Sequence, residues 1–177
     1  MDKLARIASA IETLQERLGR FVCWLLLAVA GLGFVIAVLR YALGTGAVWL
    51  QESQLWLHGT VFMLAAGWTL LHDRHVRVDI WYRSASPAAR AVTDLCGTLF
   101  LLWPMCLTLL WTSFPWLRAS WQRLEGSREA GGLPGLFLLK SLVPAFALLL
   151  ALAGLVRVLR ALGTLRGRLP GDGSPRS

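Results

Sequence analysis

Three stretches of the chain, Phe21 to Leu39, Ser53 to Leu71 and Leu95 to Leu117, contain no Asp, Glu, Lys or Arg. At ~1.5 Å per helical residue the first reaches ~28 Å, close to the ~30 Å hydrocarbon thickness of a bilayer. A fourth block, from about Leu136 to Val156, is interrupted only by Lys140. A lysine one turn inside a helix end can extend its amine to the headgroups while its stem stays in apolar surroundings. The second block carries one polar ring, His58, which a membrane helix tolerates facing protein or near an interface. Composition agrees, since 56% hydrophobic and 16% charged residues leave too little polar surface for a water-soluble domain. The expected fold is an all-α membrane protein with four transmembrane helices at about 21–39, 53–71, 95–117 and 136–156. What remains of the 177 residues is too short for a separate soluble domain.

Ahead of the first span, Leu4, Ile7, Ala8, Ile11, Leu14 and Leu18 recur at helical spacing, with Lys3, Glu12, Glu16 and Arg17 on the other face. Residues 1–20 are therefore expected to form an amphipathic helix at the membrane interface or against a partner. The apolar stretch that follows exceeds the ~7 to 15 residues of a cleaved signal peptide. With Lys140 counted in the third loop, the Lys and Arg residues divide thirteen to five, the majority on the side of the two termini. The excess of basic residues predicts that both termini are cytoplasmic. Residues 157–177, rich in Gly, Arg and Pro, read as a disordered basic cytoplasmic tail. The net charge of +8 then reports orientation and contact with anionic membrane lipids. No interleaving of aromatic and basic residues points to nucleic acid.

Several polar residues stand at the span ends. Arg40 and Glu52 flank the first outer loop, where they can fix the first hairpin or anchor it at the headgroups. In the second loop, His75, Arg77 and Asp79 alternate with Val76, Val78 and Ile80, the period of an extended surface segment. Arg77 and Asp79 share one side of it and can order an interfacial corner. The third loop brings Ser120, Trp121 and Glu125, then the turn Gly132-Leu133-Pro134, with Pro134 placed to enter the first turn of the last helix. Pro104, Pro115 and Pro144 predict kinks in the last two spans.

Cys23, Cys96 and Cys106 lie in apolar segments without metal spacing, and suit packing. Of the nine tryptophans, Trp49, Trp81, Trp116 and Trp121 fall near span ends and suit the headgroup layer. The other five require lipid or a partner subunit. No nucleophile-base-orienter set, phosphate loop or metal motif can be assembled, so neither catalysis nor a cofactor nor a metal is expected. The simplest reading is a noncatalytic membrane subunit. A haem- or quinone-associated anchor of a redox complex is the alternative, if partners supply the missing ligands.

From residue 20 to 156 the order of these features resembles the small membrane subunit of tripartite ATP-independent periplasmic (TRAP) transporters. The resemblance rests on Arg40, Glu52, the run Leu70-Leu71-His72-Asp73-Arg74-His75-Val76-Arg77-Val78-Asp79, Pro104, Ser120-Trp121, Glu125, Ser127, Gly132-Leu133-Pro134 and Lys140. It implies a scaffold in the bacterial inner membrane, beside a large permease that moves an organic anion by an elevator motion. A sodium or proton gradient drives that symport, and a periplasmic binding protein delivers the anion, with carboxylates the expected class. Arg40, Glu52, His75, Arg77, Asp79 and Lys140 would then serve subunit or interfacial anchoring. Ser120, Trp121, Glu125, Gly132, Leu133 and Pro134 would face the binding protein.

Overall fold

A computed structural model describes residues 2–72 and 85–166, and these are helical with no strand among them. Four helices follow in order: α1 (Asp2–Ala42), α2 (Val48–Leu71), α3 (Pro87–Gln122) and α4 (Leu136–Leu165). α1, α3 and α4 are long and apolar enough to cross a membrane. α2 has 24 residues, ample in length, and carries Glu52, Gln54 and His58 among its apolar residues.

α4 is the central helix. It buries Ala147, Leu149, Leu150, Ala153, Gly154, Val156, Val158 and Ala161. Ala147, Leu150 and Ala153 join Ala66 and Leu70 of α2 and Cys106 of α3 in the core. Small side chains at the crossing points let neighbouring helices approach closely, which between apolar helices in lipid supplies much of the association energy. At Gly154 an added Cβ would lie 2.8 Å from Leu102 Cδ2 and 3.0 Å from the Trp103 indole nitrogen. That nitrogen donates to the Ala151 carbonyl at 3.3 Å, fastening α3 to α4.

α1 and α2 form an antiparallel hairpin held by two keyed contacts. The backbone of Gly19 receives the Trp68 ring, and that of Gly33 receives the Gln54 amide. On the reverse side of the same seam, Gln15 fills the space left by Gly67 and reaches α4, where its Nε2 donates to the Leu149 carbonyl at 2.9 Å.

Three boundaries depart from the sequence reading. Residues 1–20 and 21–39 are not two elements, because α1 runs unbroken from Asp2 to Ala42, ~61 Å at the helical rise. No proline interrupts it, and Ile11, Gln15, Gly19 and Val22 share one buried face that carries the packing through the junction. That face lies against the chain's own α2 and α4, a covering the amphipathic pattern alone did not specify. The basic tail placed at 157–177 begins too early, since α4 continues through Leu165 on buried Val158 and Ala161. Pro134 does not enter the last helix. Gly135, at φ 100°, caps it, and the first helical residue is Leu136.

The irregularity expected at Pro104 takes the form of a π-helical stretch, Thr98–Leu102, in which Trp103 N–H donates to the Thr98 carbonyl. A proline lacks the N–H for the usual bond and crowds the carbonyl four residues earlier, so one wider turn ahead of it relieves the clash. At Pro115 and Pro144 the helices continue.

Candidate functional site

Polar side chains gather at the two ends of the bundle. Lys140 and Arg157, one at each end of α4, stand ~26 Å apart at the helical rise. The separation approaches the thickness of a hydrocarbon core.

At the end carrying the α3–α4 connection, the loop is tied down through two carboxylates. α3 stops in a reverse turn: Leu124 N–H donates to the Trp121 carbonyl at 3.2 Å and Glu125 N–H to that of Ser120 at 3.1 Å. Those two bonds make a Schellman motif, whose left-handed position is usually glycine. Here Leu124 occupies it at φ 46°, a conformation that costs a side-chain-bearing residue ~1–2 kcal/mol. The turn delivers the Glu125 carboxylate to Lys140 Nζ at 2.5 Å and to the Ser120 hydroxyl at 2.7 Å. Hydrogen bonds from Lys140 first, and Ser120 second, hold the Glu125 carboxyl below the ordinary glutamate range. Lys140 also sits 5.8 Å from the Trp116 ring centre.

Glu52, in the first turns of α2, holds the other half of the loop. It accepts from the Ser127 hydroxyl and, at 2.6 Å, from Leu133 N–H. Ser127 N–H returns to the Leu133 carbonyl at 2.9 Å. Gly132 has to be small at this point, because a Cβ there would meet Ser127 Oγ at 2.5 Å and Glu52 Oε2 at 2.7 Å. Trp121 completes the cap: its indole donates to the Ser141 hydroxyl at 2.9 Å and its ring meets Phe137 edge-on at 4.6 Å. Trp121 remains half exposed.

The opposite end joins all four helices. Glu12 of α1 pairs with Arg160 of α4 at 2.8 Å. Glu16 accepts from the Trp68 indole at 2.9 Å and lies 3.4 Å from His72, whose ring meets Trp68 at 4.6 Å with the planes tilted by 38°. Arg157 donates to the Leu70 carbonyl at 3.0 Å and approaches Asp94 of α3 at 4.0 Å. Gln15 lies just above this ring. It is fully buried, and its Oε1 finds no donor among the described residues.

The structure therefore brings together Glu52, Ser120, Trp121, Glu125, Gly132, Leu133 and Lys140, with Pro134 in the same loop. Lys140 reaches Glu125 of the same loop cluster. Arg40 stands apart from Glu52. It lines a shallow recess with Ile36, Thr45 and Leu50 and makes no hydrogen bond or ion pair among the described residues. His75, Arg77 and Asp79 lie outside the described residues. Sequence reasoning missed the second cluster, Glu12, Gln15, Glu16, Asp94, Arg157 and Arg160. Its one available signal was the apolar run Leu155-Val156 and Val158-Leu159 around the arginines, which continues the period of α4 past the span.

Among the described residues no group of three His, Cys, Asp or Glu could hold a metal ion. The carboxylates of Glu12, Glu16, Glu52 and Glu125 are engaged in loop and helix ties. These long apolar helices, tied by polar contacts at both ends, point to an integral membrane protein. Residues 29–164 match the family model for the DctQ component of tripartite ATP-independent periplasmic transporters, and the chain belongs to that family. No curated protein and no solved structure matches it.

Proposed function

We propose that the chain is the fixed, noncatalytic scaffold of a TRAP uptake system in the bacterial inner membrane. It crosses that membrane four times with both termini in the cytoplasm. A large permease moves beside it, carrying an organic anion of the carboxylate class by cation symport, and a periplasmic binding protein delivers the anion. The observation that carries the reading is the pair of polar clusters that tie the helices at both ends, joined to membership of the DctQ family.

α2 supports a fourth crossing, since it lies antiparallel along α1 with contacts at Gly33 and Gly19 and so shares its slab. In this orientation the loop tied by Glu52 and Glu125 is periplasmic, and half-exposed Trp121 at its edge suits contact with the binding protein. Arg40, with no partner among the described residues, and His75, Arg77 and Asp79 in the second loop serve as anchors to the large subunit or the headgroups.

Reconstitution tests the scaffold role. The chain alone in liposomes is expected to give no uptake, and uptake should require the large permease and the binding protein together. Full uptake by the chain alone would overturn the proposal.

A further inference from the structure

The first half of α1 has its charges sorted by sign. Successive side chains turn by ~100°, so Ile11, Gln15, Gly19 and Val22 share the inward face. Glu12 and Glu16 border that face, and both are engaged, with Arg160 and with Trp68 and His72. Arg17 and Arg20 point away from the bundle, exposed, with no hydrogen bond or ion pair among the described residues. Arg6 lies on the same flank. Beside them Ile7, Leu14 and Phe21, seven residues apart, form an apolar ridge, 47%, 45% and 54% exposed. From Leu4 to Arg20 both acids are thus used internally, while Arg17 and Arg20 stand exposed next to bare hydrocarbon.

We propose that this face of α1 is a binding surface for anionic phospholipid, with Arg17 and Arg20 on the headgroup phosphates and the Ile7-Leu14-Phe21 ridge against the acyl chains. An apolar band bordered by arginines matches the layering of a leaflet boundary, and nearby negative headgroups attract each basic residue by about fivefold. The inference rests on the membrane placement proposed above, but on neither the orientation nor the scaffold role.

The test uses the full-length protein in mild detergent, offered equal amounts of phosphatidylglycerol and phosphatidylcholine, with retained lipid counted by native mass spectrometry. Wild type should retain phosphatidylglycerol in preference, less so as ammonium acetate is raised. Arg17→Gln/Arg20→Gln should lower the preference by about fivefold per arginine, and Arg17→Lys/Arg20→Lys should keep it. Circular dichroism checks that each variant is helical. An unchanged preference in the Gln variant overturns the proposal. So does loss of the copurifying large permease with lipid retention intact, which would assign the face to an acidic protein segment. If the Gln variant does not fold, wild type decides: no preference, or one insensitive to salt, overturns it.

Discussion

Glu125 shows how one side chain organises a loop. Its backbone closes the end of α3, and its carboxylate joins Ser120 behind it to Lys140 on the next helix. These contacts favour the charged form, and the carboxyl is correspondingly lowered. A lowered carboxyl contributes its full stabilisation above the ordinary glutamate value of ~4.3 and loses it as the pH falls through the lowered value. Amide exchange over 123–137, corrected for intrinsic rates, should therefore stay protected at pH values where a free glutamate protonates, and weaken only below them. Glu125→Gln should show weaker protection at neutral pH and lack that acid step. Identical profiles in the two proteins would mean that the ion pair does not hold the loop. The sequence singled out Glu52, Glu125 and Lys140 as residues at span ends, but not what they bind. Glu52 reaches Ser127 and Leu133 some eighty positions away, and no local spacing encodes such a pair.

At the scale of the helices, contacts are keyed by glycine. Gln15 is fully buried because Gly67 leaves room for it, and a Cβ at residue 67 would lie 2.5 Å from Gln15 Oε1. Gly67→Ala should displace the amide and break its bond to the Leu149 carbonyl, at a cost of roughly 1–3 kcal/mol. In Gln15→Ala/Gly67→Ala the new methyl enters vacated space, so thermal melts should show the double variant less destabilised than the two singles together. Coupling of about 0.5–3 kcal/mol is expected for residues in contact. Strict additivity would contradict the keyed packing. The helices themselves were legible, since blocks free of charge mark where a chain can lie in hydrocarbon. Their ends were not: charge appeared to close the first span at Arg20 and the last at Arg157. In the fold, Glu12, Glu16, Arg157 and Arg160 sit within continuous helices because they bind one another's helices. The π-helical turn ahead of Pro104 was foreshadowed as an irregularity, but its form depends on the packing of Thr98 and Leu102 against Gly154.

For the whole molecule the central claim is that the bundle keeps its shape while its partner moves. The Gly19–Trp68 contact allows a direct test. A Cβ at Gly19 would lie 2.7 Å from Trp68 Cγ, which is one bond of ~1.5 Å from its own Cβ, so the two Cβ atoms lie no more than ~4.2 Å apart, inside the ~4.5 Å upper limit of a disulfide. Gly19→Cys/Trp68→Cys, with Cys23, Cys96 and Cys106 replaced by alanine, would lock α1 to α2. The decisive measurement is uptake by the three-part system in proteoliposomes, with this pair first oxidised and then reduced. The account predicts the same rate in both states. A rate that collapses on oxidation and returns with reductant would show that α1 and α2 move during transport, and would contradict a fixed scaffold.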